Sequence, residues 1–170
     1  MSSTGLAAGR AAVGDVVAEI HRVLAGSGAT VAVAESLTGG LIAAALTEPA
    51  GASATVRGGL VVYATDLKSS LAGVPPDLLA ERGAVDPEVA LALARGARER
   101  LDATYGIGVT GVAGPDLQDG QPVGTVFGAV AGPQDAAVRG WTLPGGRSEI
   151  RAGAVEQCLR LLLEECQGAD

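Results

Sequence analysis

The segment that most limits the folds open to this chain is the apolar run Thr30–Ala34, followed at once by Glu35-Ser36-Leu37-Thr38-Gly39-Gly40. An apolar run that ends in a polar, glycine-containing turn and opens into an alanine-rich stretch reads as strand, turn and helix. A buried strand that delivers a helix is half of a crossover unit, so the chain is committed to a sheet covered by helices. Only 2% of the 170 residues are aromatic while 48% are hydrophobic, so the core is built from Val, Leu, Ile and Ala. Side chains of that size suit helices packed closely on a sheet, and the length suits one domain.

The remaining elements follow from spacing. Val13, Val16, Val17, Ile20, Val23 and Leu24 recur at helical intervals and stop at Gly26-Ser27-Gly28. A second helix is predicted from near Thr38 to Pro49, and a strand over Val56–Ala64 in which Gly58-Gly59 mark a bulge or a close backbone approach. Thr65 or Asp66 can cap a short helix carrying Lys68. Asp86-Pro87-Glu88 is a cap residue, a proline at the first helical position and an acid in the first turn, which starts a helix to Leu101. Tyr105–Thr110 reads as a strand leading into a glycine- and proline-rich loop. Val123–Ala131 and Ala136–Leu143 have hairpin spacing, and a last helix follows Ser148. Alternating helices and strands with a late hairpin predict a single three-layer α/β/α domain, whose mixed sheet is mostly parallel and carries an antiparallel hairpin. The segment 1–12 is expected to be loose, 13–166 to form the domain, and 167–170 to be a tail.

In an open sheet of this kind ligands sit beyond the carboxyl ends of the strands. Ser36, Tyr63 and Thr110 each follow an apolar strand, so one crevice can collect all three. Lys68 is the most informative residue, because the chain has eleven arginines and one lysine. An ammonium group loses its proton when desolvated, whereas a guanidinium stays charged; a position that keeps Lys in an Arg-rich chain points to that property. Its expected place in the first turn of a helix favours the same outcome. Ser36 reads either as a plain helix N-cap or as a nucleophile beside bare amides of Thr38, Gly39 and Gly40. Such amides hold an oxyanion or a phosphate equally well. Tyr63 is either a rim tyrosine or a proton relay between Ser36 and Lys68. Thr110, Gly111 and Gly114 open a loop that reads as a ligand contact or as an ordinary surface turn. Arg147 either meets an anion or lies on the surface.

Other chemistries are set aside. His21, the only histidine, lies in the first helix away from every glycine turn, which argues against a Ser-His-Asp triad and most zinc sites. The spacing of five between Tyr63 and Lys68, with no glycine-rich dinucleotide loop, excludes a short-chain dehydrogenase pattern. A net charge of −7 without a basic run argues against direct nucleic-acid or anionic-membrane contact. Cys158 and Cys166 lie eight apart in one helix, roughly 12 Å between Cα atoms, too far for a disulfide. Buried reduced thiols, with no signal peptide or membrane-length apolar run, point to the cytoplasm. An Ala/Leu-rich helical surface suits a homo-oligomer.

Glu35–Gly40, Gly59–Lys68 with its Tyr63, Gly83-Ala84-Val85, Thr110–Pro115 and Pro122–Val126 together resemble the CinA C-terminal-domain family. The resemblance covers about Val13 to Cys166. It implies the activity of the nicotinamide-nucleotide amidases (PncC type): hydrolysis of nicotinamide mononucleotide to nicotinate mononucleotide and ammonia, in pyridine-nucleotide recycling. The family's serine, tyrosine and lysine map to Ser36, Tyr63 and Lys68, and no metal or organic cofactor is implied. The chain looks like the stand-alone form, without the N-terminal domain of longer members. It departs from the family at Thr65, often Asn, and over Leu117–Gln121, where a Gly-Gly-Thr and a Lys are usual. A non-catalytic nucleotide- or phosphate-binding module is the competing expectation. A protein-interaction role linked to competence or DNA damage is a third.

Overall fold

The computed structural model describes residues 3–168, with side chains from Val13 onward. Five strands, β1 (Val31–Glu35), β2 (Val56–Val61), β3 (Tyr105–Gly111), β4 (Thr125–Ala131) and β5 (Ala136–Thr142), form one sheet in the order β2-β1-β3-β4-β5. β1 runs parallel to both β2 and β3, and β4 is antiparallel to its two neighbours. Four of the five strands therefore point the same way, and the β4–β5 hairpin supplies the reversal. Six helices cover the sheet: α1 (Ser3–Ser27), α2 (Leu41–Thr47), α3 (Thr65–Ser70), α4 (Pro76–Arg82), α5 (Pro87–Arg100) and α6 (Arg147–Gln167). This is the expected three-layer α/β/α architecture.

The layers follow from strand alternation. Val31, Val33, Ile107, Val109, Val126 and Val130 face one side and pack against α1, α2 and α6 through Ile20, Leu24, Ile42, Leu46, Ile150, Leu159 and Leu162. Ala32, Ala34, Ala129 and Ala131 face the other, against α5 through Val89, Ala90, Leu93, Ala94 and Ala97. That second interface is made of small residues because α5 lies almost on the backbone of β3. A Cβ at Gly106 would sit 2.0 Å from Ala94 O, and one at Gly108 would sit 2.2 Å from Ala90 O. A core with few aromatics is thus matched by a helix that needs no large side chain to reach the sheet.

Several boundaries differ from expectation. β2 stops at Val61, short of Ala64, and α2 starts at Leu41, after a turn over Ser36–Gly40. The glycine pair in β2 does both things foreseen for it. The register slips between Val31↔Val56 and Ala32↔Gly58, and a Cβ at Gly59 would lie 2.8 Å from Val33 Cγ2. α6 is capped from Gly146, whose N–H donates to Glu149 Oε2 at 2.6 Å, and Ser148 lies inside the helix. The start of α5 is as predicted, with Asp86 accepting from Glu88 N–H at 2.8 Å. Backbone helix extends from Ser3 through the segment expected to be loose, of which Met1 and Ser2 lie outside the described residues, as do Ala169 and Asp170 of the tail. Among the described residues no helix is long and apolar enough to cross a membrane. Cys158 and Cys166 are free and buried, and burial pushes both thiols up, Cys166 to about 12, so neither is a reactive thiolate.

Candidate active site

The carboxyl ends of β2, β1 and β3 lie side by side. The chain leaves β1 through α2 on one face and reaches β3 through α5 on the other, so this rim is a topological switch point. Ser36 is the first residue past β1. Its N–H donates to Val109 O of β3 at 3.2 Å, and the residue is only 8% exposed.

Lys68 reaches this point from α3 and is buried, 1% exposed. Its Nζ donates to Ser36 Oγ at 3.0 Å, to Val62 O at 2.9 Å and to Tyr63 O at 3.2 Å. An ammonium has three protons, and here each has one acceptor. A neutral amine in the same place keeps two N–H bonds to the carbonyls and turns its lone pair toward the Ser36 hydroxyl. Burial lowers the Lys68 pKa from 10.5 to about 8, against an opposing pull from the Asp119 carboxylate. The helix-end contribution expected from sequence is not the cause, since Lys68 is in the last turn of the six-residue α3.

The turn after Ser36 is fixed by two side chains of opposite charge. Glu35, fully buried at the end of β1, accepts from Gly40 N–H (3.1 Å), Ile42 N–H (3.0 Å) and Ala43 N–H (2.8 Å). Its carboxylate thus takes amides at the start of α2 that the helix cannot pair internally. From α6, Arg151 donates through Nε to Leu37 O (2.9 Å) and through Nη2 to Thr38 O (3.1 Å). Gly39 N–H closes the turn on Ser36 O at 3.0 Å, with Gly39 at φ 58° and Gly40 at φ 97°. The amides of Gly39 and Gly40, the expected anion donors, are therefore engaged within the protein. The amides of Leu37 and Thr38 donate to no atom of the described residues, and buried Thr38 Oγ1 likewise has no partner there.

Tyr63 and the loop residues are placed differently from their expected roles. The Tyr63 hydroxyl, on a side chain more than half exposed, accepts from Arg147 Nη2 at 3.1 Å, and it is the Tyr63 carbonyl that Lys68 uses. A hydroxyl relay between Ser36 and Lys68 is not present, because the two are already bonded. Thr110 Oγ1 donates to Ala84 O at 2.6 Å and is not free for a ligand. Gly111 is a packing glycine, its Cβ position 2.6 Å from Thr125 O. Gly114 has φ 87° and offers its carbonyl to Arg147 Nη1 at 2.8 Å. Arg147 therefore ties the β3–β4 loop to the Tyr63 side of the crevice. His21 is structural: Nε2 donates to Leu46 O (2.8 Å), so in the neutral ring Nδ1 accepts from Thr55 Oγ1 (2.6 Å). No cluster of three or more His, Cys, Asp or Glu able to hold a metal occurs among the described residues.

Sequence reasoning assigned no role to Glu35, Arg151 or Asp119. Glu35 had a signal, as the one acid in an otherwise apolar strand. Arg151 and Asp119 had none, since their partners are backbone atoms 113 or 114 and 35 residues away.

The CinA C-terminal domain model matches residues 14–166. The chain belongs to the CinA C-terminal domain family. It is 53% identical over 134 residues to a CinA-like protein of Frankia casuarinae, covering 79% of this chain and 31% of that protein. The chain thus spans about a third of the length of the curated relatives it matches. Among solved structures, competence/damage inducible protein CihA from Agrobacterium tumefaciens superposes with a TM-score of 0.87 at 37% identity, over 90% of this chain and 94% of that one. Competence damage-inducible protein A from Klebsiella pneumoniae gives 0.89 at 30% identity, over 93% and 99%. This family member shares its fold with both.

Proposed function

We propose that this chain is an amidohydrolase that converts nicotinamide mononucleotide to nicotinate mononucleotide and ammonia, with Ser36 as nucleophile and Lys68 as general base. The observation that carries the reading is the 3.0 Å bond between a buried lysine of lowered pKa and a serine hydroxyl at a switch point. Family membership supports the class of chemistry, and the substrate is the one its amidases take.

In the proposed sequence neutral Lys68 accepts the hydroxyl proton as Ser36 Oγ bonds to the carboxamide carbon. The resulting oxyanion is held by the amides of Leu37 and Thr38. Collapse breaks the C–N bond, the Lys68 ammonium protonates the departing nitrogen, and ammonia leaves. Water then attacks the acyl-serine while Lys68 takes its proton, and return of that proton to Ser36 Oγ releases nicotinate mononucleotide. Arg147, exposed and tied to both rims, is the residue we assign to the substrate phosphate, in place of the Thr110–Gly114 loop. Ammonia release from nicotinamide mononucleotide, measured for the native chain, Ser36→Ala and Lys68→Arg, tests the proposal. Both variants are expected to stay folded without turnover, and full rate in Lys68→Arg contradicts the role given to Lys68.

The unpaired amides of Leu37 and Thr38, with exposed Arg147 bridging Gly114 and Tyr63, also fit an anion cradle without catalysis. Binding of the mononucleotide without ammonia release supports that second reading.

A further inference from the structure

Taking the reading of Ser36 as nucleophile as given, we propose that Arg151 is a positioning residue for the acylation step, holding the peptide plane that aims the Thr38 N–H as an oxyanion donor. In a trans peptide the C=O and the following N–H point in opposite directions. When Arg151 Nε takes the Leu37 carbonyl at 2.9 Å, the Thr38 N–H of that same peptide is turned away from α6. When Nη2 takes the Thr38 carbonyl at 3.1 Å, the next peptide sends its N–H back to Ser36 O at 3.0 Å. One guanidinium therefore sets two successive planes, Leu37–Thr38 and Thr38–Gly39, one peptide beyond the nucleophile. Its planar fork suits two neighbouring carbonyls, which a lysine cannot span in the same way.

The arrangement is costly unless it is used. Thr38 N–H and Thr38 Oγ1 find no acceptor among the described residues, although Thr38 is fully buried. A buried polar atom without a partner is destabilising, so donors held ready by a third residue have the form of a preorganised site. A cation on the two carbonyls also polarises those peptides and strengthens their N–H groups as donors. Glu35 anchors the far end of the turn, and Arg151 governs the end beside Ser36. Gly39 leaves room for it, since a Cβ there would meet Arg151 Nη2 at 3.4 Å.

The test uses a fluorophosphonate on the full chain, with intact mass as the readout of Ser36 modification. Ser36 Oγ bonds to phosphorus, the P–F bond breaks, fluoride leaves, and the hydroxyl proton passes to Lys68. The phosphoryl oxygen takes the place of the oxyanion. Rates are compared for the native chain, Arg151→Met and Arg151→Lys, alongside kcat and KM for nicotinamide mononucleotide. Arg151→Met is expected to slow Ser36 labelling and kcat by about 10²-fold while KM moves less than about 3-fold. Arg151→Lys is expected to fall between, and added methylguanidinium to restore part of the rate to Arg151→Ala. Equal labelling rates in the native and Arg151→Lys or Arg151→Met chains overturn the inference, as does a rise in KM alone. If the native chain labels at Ser36 but releases no ammonia, the amidase reading fails, and the labelling rates still decide the role of Arg151.

Discussion

Two neighbouring strand ends each bury one charged side chain, and they use it in opposite ways. At the end of β1, the Glu35 carboxylate accepts from three backbone amides that can do nothing except donate. At the end of β2, Lys68 is bonded to two carbonyls that can only accept and to one hydroxyl that can do either. The first charge is locked by its partners. The second has one partner through which a proton can move. Burial alone therefore does not separate the proposed base from Glu35; an exchangeable partner within hydrogen-bond distance does.

The sharpest way to break this contrast is to remove the exchangeable pair. Ser36→Ala, which removes the nucleophile, is expected to abolish amide turnover, and Lys68→Met to reduce it by about 10²–10⁴-fold, the range for loss of general-base assistance, with the fold retained by circular dichroism. Retained turnover in Lys68→Met would leave Lys68 with no more than a structural role. Glu35→Gln attacks the locked charge. It replaces one acceptor oxygen with an NH₂ that faces other donors and is expected to cost about 2 kcal/mol of stability, read as a lower midpoint in urea.

pH acts on stability through Lys68. Folding lowers the Lys68 pKa from 10.5 to about 8. Between those values the unfolded chain holds a proton that the folded chain has shed, so stability contributed by Lys68 rises as pH climbs from about 8 toward 10.5. Lys68→Met is expected to flatten that rise relative to the native chain. An unchanged slope in the same urea titrations contradicts it. Tyr63→Phe should have the smallest effect, because Phe keeps the carbonyl that Lys68 uses and loses only the contact with Arg147. The expected change is about 3-fold or less in kcat, with any larger effect falling on KM.

Much of the frame was legible in the residues. The Thr30–Ala34 run, the Asp86-Pro87-Glu88 start and the spacing around Gly132–Asp135 lead to β1 (to within a residue at each end), α5 and the β4–β5 hairpin, because each rests on local pattern. The lone lysine in an arginine-rich chain pointed to Lys68 for the reason the geometry bears out: a desolvated amine. α2 starts later than its spacing predicts because Glu35, not a cap at Ser36, takes its first amides, and no spacing rule reveals a carboxylate reaching forward from a strand. The Tyr63 hydroxyl and the Gly39 and Gly40 amides were given roles from proximity in sequence, yet their partners are Arg147, Ser36 O and Glu35. Arg151 stayed hidden because its contacts are long-range bonds to backbone oxygens, which leave no mark on either residue's neighbours.

Since Lys68 is the only lysine in the chain, lysine labelled with ¹³C at Cε gives a single side-chain resonance. Its pH titration tests the proton-acceptor role most directly and needs no substrate. A midpoint near 8, moving toward lower pH when Asp119→Asn removes the opposing charge, is the predicted result. A midpoint at the ordinary lysine value near 10.5, unaffected by Asp119, would contradict it.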